Sequence, residues 1–121
     1  MNRYIVGIDL GTPVVEAIGA EAKSRFTGKI PKVTVEVRDV NPQAPTHVLV
    51  IPRTHVDSLS AAGDSSMLGE VLSLAASVAR SEGLDRDGYR VVINNGRNAG
   101  QAVDHLHLHV LGGRRMTWPP G

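Results

Sequence analysis

The chain has 121 residues, a formal net charge of +1 and no cysteine. This length fits a single domain over residues 1–121, the near-neutral charge excludes the broad basic surface that holds nucleic acid by counterion release, and the lack of cysteine excludes disulfides and thiolate metal sites. The apolar start from Tyr4 to Leu10 is interrupted by Asp9, which excludes a membrane span and a signal peptide. We therefore expect a cytoplasmic protein without a membrane or nucleic-acid partner.

The first quarter of the chain predicts one strand and one helix. Residues Tyr4 to Leu10 predict a short buried strand. Thr12 can cap a helix and Pro13 can occupy its first turn, so we expect a helix from about Pro13 to Arg25.

Two strands are predicted next, one half-buried and one fully buried. Three valines alternate with polar residues, which is the period of a strand with one buried face: Val33, Val35 and Val37. Pro42 and Pro45 predict a loop, because proline has no N–H with which to continue a ladder. The apolar run from Val48 to Ile51 predicts the second strand.

The longest periodic segment predicts the main helix. Asp64 is a good N-cap, and Gly83 suits the left-handed residue that follows the end of a helix. The apolar residues between them fall on one stripe: Met67, Leu68, Val71, Leu72, Ala75, Val78 and Ala79. We expect this stripe to form core or a dimer interface.

Two further strands complete the predicted sheet. They run from Tyr89 to Ile93 and from Asp104 to Leu111, with the loop Asn94 to Gln101 between them, and we expect them to pair antiparallel. Strands and helices mixed in this order predict an α+β fold, in which the long helix packs on one face of an antiparallel sheet. The tail from Met116 to Gly121 contains two prolines and predicts no regular structure.

Three histidines dominate the last predicted strand. His105, His107 and His109 alternate with aliphatic residues, so their imidazoles share one face of a strand, with neighbours about 6.5 to 7 Å apart. A hydrophobic core does not need three such rings, because the ring nitrogens must be hydrogen-bonded when buried. We therefore expect these side chains to line a pocket.

Histidines on one face fit three kinds of chemistry: nucleophile, proton donor and metal ligand. The loop Asn94 to Gln101 contains two glycines that let backbone N–H groups approach phosphate oxygens, which favours phosphoryl chemistry. A divalent metal shared by His105, His107 and His109 is the alternative, although Asp104 is the only evident carboxylate for a second shell.

Three segments of the chain carry motifs that agree with one another in order and spacing. They are Asp39 to His55, the segment Gln101 to Arg114 with its His-x-His-x-His pattern and hydrophobic x positions, and the ending Trp118 to Gly121. Together they resemble the histidine triad superfamily, and its Hint branch in particular. We therefore divide the predicted HIT-like domain into an atypical segment, 1–37, and a Hint-like segment, 38–121.

The resemblance implies a hydrolase of nucleoside 5′-monophosphoramidates or related nucleotidyl substrates, of the AMP or GMP type, that needs no metal or cofactor. His107 would attack the α-phosphorus to form a nucleotidyl-histidine, which water then hydrolyses. His109 would lie near the phosphate and leaving group, His105 would order the array, and His47 would complete the polar cluster. The implied substrate-binding residues are Asp39, which would hold the ribose hydroxyls, Val40, Asn94, Gln101, Ala102 and Trp118.

The resemblance also implies a symmetric homodimer, in which the tail brings Trp118 near the partner's active site. His55 would belong to a loop beside the site and not to the chemistry. Only seven residues separate the turn Gly28 to Pro31 from Asp39, too few for the hairpin that the family carries there. A nucleotide-binding or scaffold module with little turnover is the alternative from another class. The neighbouring arginines are expected to be solvated: Arg97, Arg114 and Arg115.

Overall fold

The computed structural model describes residues 34–121. In chain order its elements are β1 (Thr34–Arg38), β2 (Thr46–Pro52), α1 (Ser65–Ser81), β3 (Tyr89–Ile93), a 3₁₀ turn (Arg97–Ala99) and β4 (Leu108–Gly112). The strand and helix predicted between Tyr4 and Arg25 lie outside the described residues.

The four strands form one antiparallel sheet in the order β1-β2-β4-β3. Helix α1 packs across β2 and β4 and also reaches β1. The predicted α+β class is confirmed, and so is the antiparallel pairing of the last two strands. Strands β2 and β4 lie at the centre of the sheet, so the side chains that they carry have neighbours on both sides.

Helix α1 begins and ends where the sequence predicts. The Asp64 side chain caps it, because Oδ1 accepts hydrogen bonds from the N–H groups of Ser66 at 3.0 Å and Met67 at 3.2 Å. At the other end Gly83 adopts a φ of +74°, which a glycine reaches without strain, and the N–H of Leu84 donates to the carbonyl of Ala79 at 2.9 Å. These two caps set the length of the helix independently of its packing.

The hydrophobic core lies between α1 and one face of the central strands. Alternation along β2 and β4 turns Val48, Val50, Leu108 and Val110 toward the helix, and all four are fully buried. The helix contributes the buried residues Met67, Val71, Ala75, Val78 and Ala79. Side chains of the opposite parity therefore face away from α1, on the other surface of the sheet.

One residue of the predicted helical stripe lies outside the core. The side chain of Leu72 is 51% exposed. Of the residues predicted for the stripe, it is the one on the solvent side of α1. Leu72 is therefore not part of the core, and its place in a dimer interface stays a prediction.

The last strand is shorter than predicted, since β4 begins at Leu108 and not at Asp104. Both neighbouring ladders end at the same point, with Leu108 paired to Val50 of β2 and to Ile93 of β3. Extending the register with β2 would place Leu106 opposite Pro52, which has no N–H to donate. Among residues 34–121, no helix is both long enough and apolar enough to cross a bilayer.

Candidate active site

Two histidines meet on the face of the sheet that points away from α1. His47 lies in β2 opposite Leu111, and His109 lies in β4 opposite Leu49, so the two are diagonal neighbours on adjacent strands. Their ring centroids are 5.1 Å apart, and Nε2 of His47 lies 2.8 Å from Nδ1 of His109. The sheet register therefore builds a hydrogen-bonded pair of imidazoles from residues 62 positions apart in the chain.

A backbone N–H determines which nitrogen of each ring carries the proton. The N–H of Gln43 donates to Nδ1 of His47 at 3.0 Å. A neutral imidazole has one donor and one acceptor nitrogen, so the His47 proton is on Nε2 and is donated to Nδ1 of His109. His109 then carries its own proton on Nε2. The pair thus presents a neutral N–H donor on the side of His109 that is turned away from His47.

The ring of His107 is held in the opposite tautomer. Its Nδ1 donates to the main-chain carbonyl oxygen of His105 at 2.7 Å, so a lone pair remains on Nε2. The ring is nearly buried, and its centroid lies 5.1 Å from that of His109 with the planes at 63°. A neutral imidazole with its lone pair oriented and its other nitrogen bonded to a carbonyl is a prepared nucleophile.

His105 does not face the other two rings of its triplet. Because the chain leaves the ladder before Leu108, the buried ring of His105 points to the end of β2, where Nε2 donates to the carbonyl of Pro52 at 2.8 Å. Its Nδ1 lies 3.1 Å from Nδ1 of His55. The prediction that three imidazoles share one face of a strand is therefore wrong for His105, although its carbonyl holds His107.

Burial lowers the pKa values of His47, His105 and His109 and so favours their neutral forms. Desolvation, together with the nearby rings of His107 and His47, lowers the pKa of His109 to about 4, against the opposing effect of the Asp39 carboxylate. Desolvation also lowers the pKa of His47, against the opposing effect of the Asp39 carboxylate, and lowers the pKa of His105. The electrostatics therefore favour neutral tautomers, which agrees with the donors and acceptors of the hydrogen-bond network.

Asp39 stands at the start of the loop between β1 and β2, beside this network. Its Oδ1 accepts from the N–H of Asn41 at 2.7 Å, and its Oδ2 lies 3.4 Å from Nε2 of His47. The N–H of Asp39 donates to the carbonyl of His47 at 2.9 Å. The structure thus brings Asp39 to the histidine pair, with half-buried Val40 next to it.

The loop before the histidines uses several of its polar groups internally. The Gln101 side chain accepts from the N–H of Gly96 at 2.8 Å and donates to the carbonyls of Asp57 at 2.7 Å and Val103 at 3.0 Å. The N–H of Gln101 donates to Gly96, and that of Gly100 to Arg97. These N–H groups are engaged within the loop, and the binding of phosphate and substrate by the backbone around Gln101 stays a prediction.

The remaining predicted residues lie around the site at different depths. Asn94 is half-buried at the end of β3, and Ala102 is exposed. Trp118 is 81% exposed in a tail that has no helix or strand, and Arg90 donates to the carbonyl of Thr117 at 2.9 Å. The tail is therefore attached next to Trp118, while the indole itself is mostly exposed to solvent.

Four residues of this environment make contacts that the sequence pattern did not predict. Gln43 acts through its backbone N–H, which no side-chain pattern can reveal. Arg114, which we expected to be solvated, donates to the carbonyl of Gln43 from Nε at 3.1 Å and from Nη2 at 2.9 Å. His55 and Asp57 are adjacent to His105, and only their shared loop with Pro52 hinted at this.

Known proteins match this chain in sequence and in fold. The HIT domain family model matches residues 19–116. A 14 kDa zinc-binding protein from Zea mays is 52% identical over 89 residues, covering 69% of this chain and 68% of its own length. An uncharacterized HIT-like protein from Synechocystis is 55% identical over 86 residues, covering 69% and 75%. The structure of a HIT family hydrolase from Legionella pneumophila superposes with a TM-score of 0.78 and 40% identity, covering 90% of this chain and 98% of that chain.

Because the maize relative is described as zinc-binding, we tested whether the site fits a metal. Within residues 34–121, one group of three side chains brings its ligand atoms within 4.8 Å of one another: Asp39, His47 and His109. The N–H of Gln43 donates to Nδ1 of His47, so the proton of that ring is on Nε2. Nε2 is the atom that would have to coordinate the ion. This donor set does not fit a metal unless the Gln43 contact is broken.

The metal shared by His105, His107 and His109 fits no better. Within the described residues, the ligand atoms of these three side chains do not all lie within 4.8 Å of one another. Nδ1 of His107 and Nε2 of His105 each donate to a carbonyl, in different directions.

Proposed function

This chain belongs to the HIT domain family, and on that premise we propose that it hydrolyses nucleoside 5′-monophosphoramidates through a nucleotidyl-histidine on His107. The phosphorus acceptor atom would be Nε2. One observation carries the proposal: the hydrogen bond of 2.7 Å from Nδ1 of His107 to the carbonyl of His105, which leaves the Nε2 lone pair available.

In the first step, Nε2 of His107 forms a bond to the α-phosphorus and the bond from phosphorus to the amine nitrogen breaks. The positive charge that develops on the imidazole is stabilised by the carbonyl of His105, which accepts the Nδ1 proton. The departing nitrogen takes up a proton from solvent and leaves as an amine. In the second step, a water oxygen bonds to phosphorus, the bond to His107 breaks and one water proton returns to solvent, which releases the nucleoside monophosphate and restores the neutral ring.

The pair formed by His47 and His109 would assist both steps. Nδ1 of His109 accepts the hydrogen bond from His47, so the other nitrogen of the ring carries the proton. This Nε2–H can donate to a phosphoryl oxygen or to the leaving nitrogen. Because its pKa lies near 4, His109 acts from the neutral form at pH 7. Exclusion of water from this buried cluster by the bound substrate would strengthen these hydrogen bonds, because the local dielectric constant falls.

The rest of the substrate would be held by residues around the cluster. We propose that Asp39 binds the ribose hydroxyls, exchanging its contact with the N–H of Asn41 for them. Asn94, Val40 and Ala102 would line the remainder of the pocket. Trp118 is exposed enough to reach a second subunit, so we propose a homodimer in which the tails complete each other's sites. Nucleosides of the AMP and GMP type are the candidate substrates.

A fluorogenic adenosine phosphoramidate tests the reaction. His107→Asn keeps a polar side chain of similar bulk but has no nucleophilic ring nitrogen, so turnover should fall by at least three orders of magnitude while the protein stays folded. The control is Ser73→Ala on the exposed side of α1, which should retain full activity. Full activity in His107→Asn would disprove the nucleophile.

Mass spectrometry and calorimetry distinguish a hydrolase from a binding module. Quenching in alkaline denaturant during turnover, which preserves the P–N bond, should trap wild-type protein carrying one nucleoside monophosphate, and this adduct should be absent from His107→Asn. Titration with AMP and GMP gives the affinity for the product. Binding without any hydrolysis would show a nucleotide-binding module in place of the proposed enzyme.

A further inference from the structure

The peptide that orients His107 lies outside the sheet. Its carbonyl, that of His105, accepts the Nδ1 proton of His107 at 2.7 Å. Strand β4 begins at Leu108, and its ladders with β2 and β3 end at that residue. Ladder hydrogen bonds therefore do not set the direction of this carbonyl, and contacts with neighbouring loops have to hold the segment from Gln101 to Leu106.

The side chain of Gln101 supplies such contacts. Its Nε2 donates to the carbonyl of Val103 at 3.0 Å and, across to the loop after β2, to the carbonyl of Asp57 at 2.7 Å. Its Oε1 accepts the N–H of Gly96 at 2.8 Å. One half-buried side chain thus joins three segments: the loop after β3, the loop after β2 and the chain that leads to the histidines.

The partners of this side chain fix the orientation of its carboxamide. A carbonyl only accepts, so the carbonyls of Asp57 and Val103 face the NH2 group, and the N–H of Gly96 faces the oxygen. The amide therefore uses both of its donor hydrogens and one of its acceptor lone pairs. Among side chains of similar length, an ionised glutamate has no donor and methionine has neither donor nor charge.

The peptide of His105 is fastened on both sides. Before it, Gln101 holds the carbonyl of Val103, and after it, the N–H of Leu106 donates to the carbonyl of Val56 at 2.7 Å. Val56 directly precedes the residue whose carbonyl Gln101 contacts, so both anchors end on the same short stretch of the loop after β2. Loss of the Gln101 anchor would loosen the chain before His105 and let its carbonyl turn.

We propose that Gln101 is a positioning residue: its carboxamide holds the His105 peptide, and through that peptide the tautomer and direction of the His107 ring. The proposal rests on the proposed function of His107. When the His105 carbonyl turns away, Nδ1 of His107 loses its acceptor, and the tautomer with its proton on Nε2 becomes accessible. That tautomer has no lone pair on Nε2, so a change at Gln101 should lower kcat and leave KM in place.

The first test needs no activity. Proton–nitrogen correlation spectra of the free protein, labelled with nitrogen-15 at histidine, show which ring nitrogen carries the proton. At about pH 8.5, above the ordinary imidazole pKa, we expect wild-type His107 to be protonated on Nδ1 alone. Gln101→Glu should give a mixture of both neutral tautomers, because its carboxylate repels the two carbonyl oxygens that it faces.

Asn98→Asp is the matched control for these spectra. It makes the same amide-to-acid change at an exposed position of the same loop, so it should keep the wild-type tautomer of His107. A His107 ring that stays protonated on Nδ1 alone in Gln101→Glu would overturn the proposal.

The second test compares kcat with KM on a phosphoramidate, at a temperature well below the melting temperature of every variant. Gln101→Glu should lower kcat about ten- to hundredfold, as for loss of two hydrogen bonds with two acceptors left facing a charge. Gln101→Met, which has no charge, should lie between that variant and the wild type. A kcat equal to the wild type in both variants, or a change confined to KM, contradicts the positioning role.

A core variant separates positioning from stability. Val78→Ala opens a cavity against buried Val78, on the face of the sheet opposite the site, so it should lower the melting temperature while kcat stays within about twofold of the wild type. If Val78→Ala and Gln101→Met lose kcat equally at an equal loss of melting temperature, Gln101 is merely structural.

The spectra and the kinetics also separate this proposal from the proposed function. If the wild-type protein shows no turnover on any phosphoramidate, the hydrolase assignment fails, while the spectra still decide whether Gln101 sets the tautomer of His107. If the wild type turns over and the spectra of Gln101→Glu match those of the wild type, the hydrolase stands and the positioning role is wrong.

Discussion

Arg114 binds the main-chain carbonyl of Gln43 with two nitrogens of its guanidinium group, Nε at 3.1 Å and Nη2 at 2.9 Å. The N–H of the same residue, Gln43, donates to Nδ1 of His47. An arginine that follows β4 thus acts on the histidine pair through one residue of the loop between β1 and β2. Arg114 lies five residues after His109, so the segment that carries His109 also contacts Gln43, the residue that donates to His47.

We predict that Arg114→Ala lowers kcat/KM about two- to tenfold, the range expected for loss of one hydrogen-bonding contact. The peptide at Gln43 would move more freely and present its N–H to His47 less often. The matched control is Arg115→Ala, an exposed neighbouring arginine, which should stay within twofold of the wild type. Steady-state assays on a phosphoramidate measure both, and equal losses would refute the contact's role.

Removing the N–H of Gln43 should have a larger effect than removing its side chain. Gln43→Pro deletes the donor to His47, so both tautomers of that ring become accessible and kcat should fall about tenfold. Gln43→Ala keeps the N–H and loses only the side-chain contact with the carbonyl of Asn41, so its kcat should change less than twofold. Histidine nitrogen shifts check the tautomer directly, and a His47 tautomer unchanged in Gln43→Pro contradicts the prediction.

The buried histidines should make the protein acid-sensitive. The pKa of His109 is lowered to about 4, whereas in the unfolded chain it returns to about 6.5. Between these values the unfolded state binds more protons than the folded state, so the free energy of unfolding should decrease as the pH falls from about 6.5 to about 4. The lowered pKa values of His47 and His105 act in the same direction.

Urea unfolding at a series of pH values measures this dependence. In His109→Asn, which has no titrating ring, the free energy of unfolding should decline less steeply across the same pH window. Above pH 7 the ring is neutral in both states, so His109 should contribute nothing to the pH dependence of the free energy of unfolding. An identical slope in the variant and the wild type would show that His109 is not protonated on unfolding.

Close packing at the end of β4 leaves no room for a side chain at Gly112. A Cβ there would lie 2.6 Å from both Cδ1 and Cδ2 of Leu84, which is buried against the core. Gly112→Ala should therefore lower the free energy of unfolding by about 1 to 3 kcal/mol, the usual effect of overpacking. Gly63→Ala is the control, because a Cβ there meets nothing within 4 Å.

A double variant separates this steric effect from a backbone effect. Leu84→Ala creates space next to residue 112, so the loss caused by Gly112→Ala should be smaller in the Leu84→Ala background than alone. Chemical denaturation of the four proteins gives the coupling. Strictly additive losses would show that contact with Leu84 is not the cause.

Local patterns determined most elements of this fold. Asp64 and Gly83 predict both ends of α1 because capping depends on neighbours within one turn of the helix. The start of β4 could not be predicted in this way. The alternation of His105 to Val110 continues the strand pattern, but ladder pairing stops at Leu108, and Pro52 would face Leu106 two residues before it.

The sequence by itself determined that this chain belongs with the histidine triad proteins and that His107 is the central residue of its motif, because a motif consists of side-chain types at fixed spacing. Only the tertiary structure decided which ring nitrogen carries each proton. That depends on the N–H of Gln43 and the carbonyls of Pro52 and His105, which are main-chain groups that every residue has. Their direction is set by packing between distant segments, and the same packing brings His55 to His105.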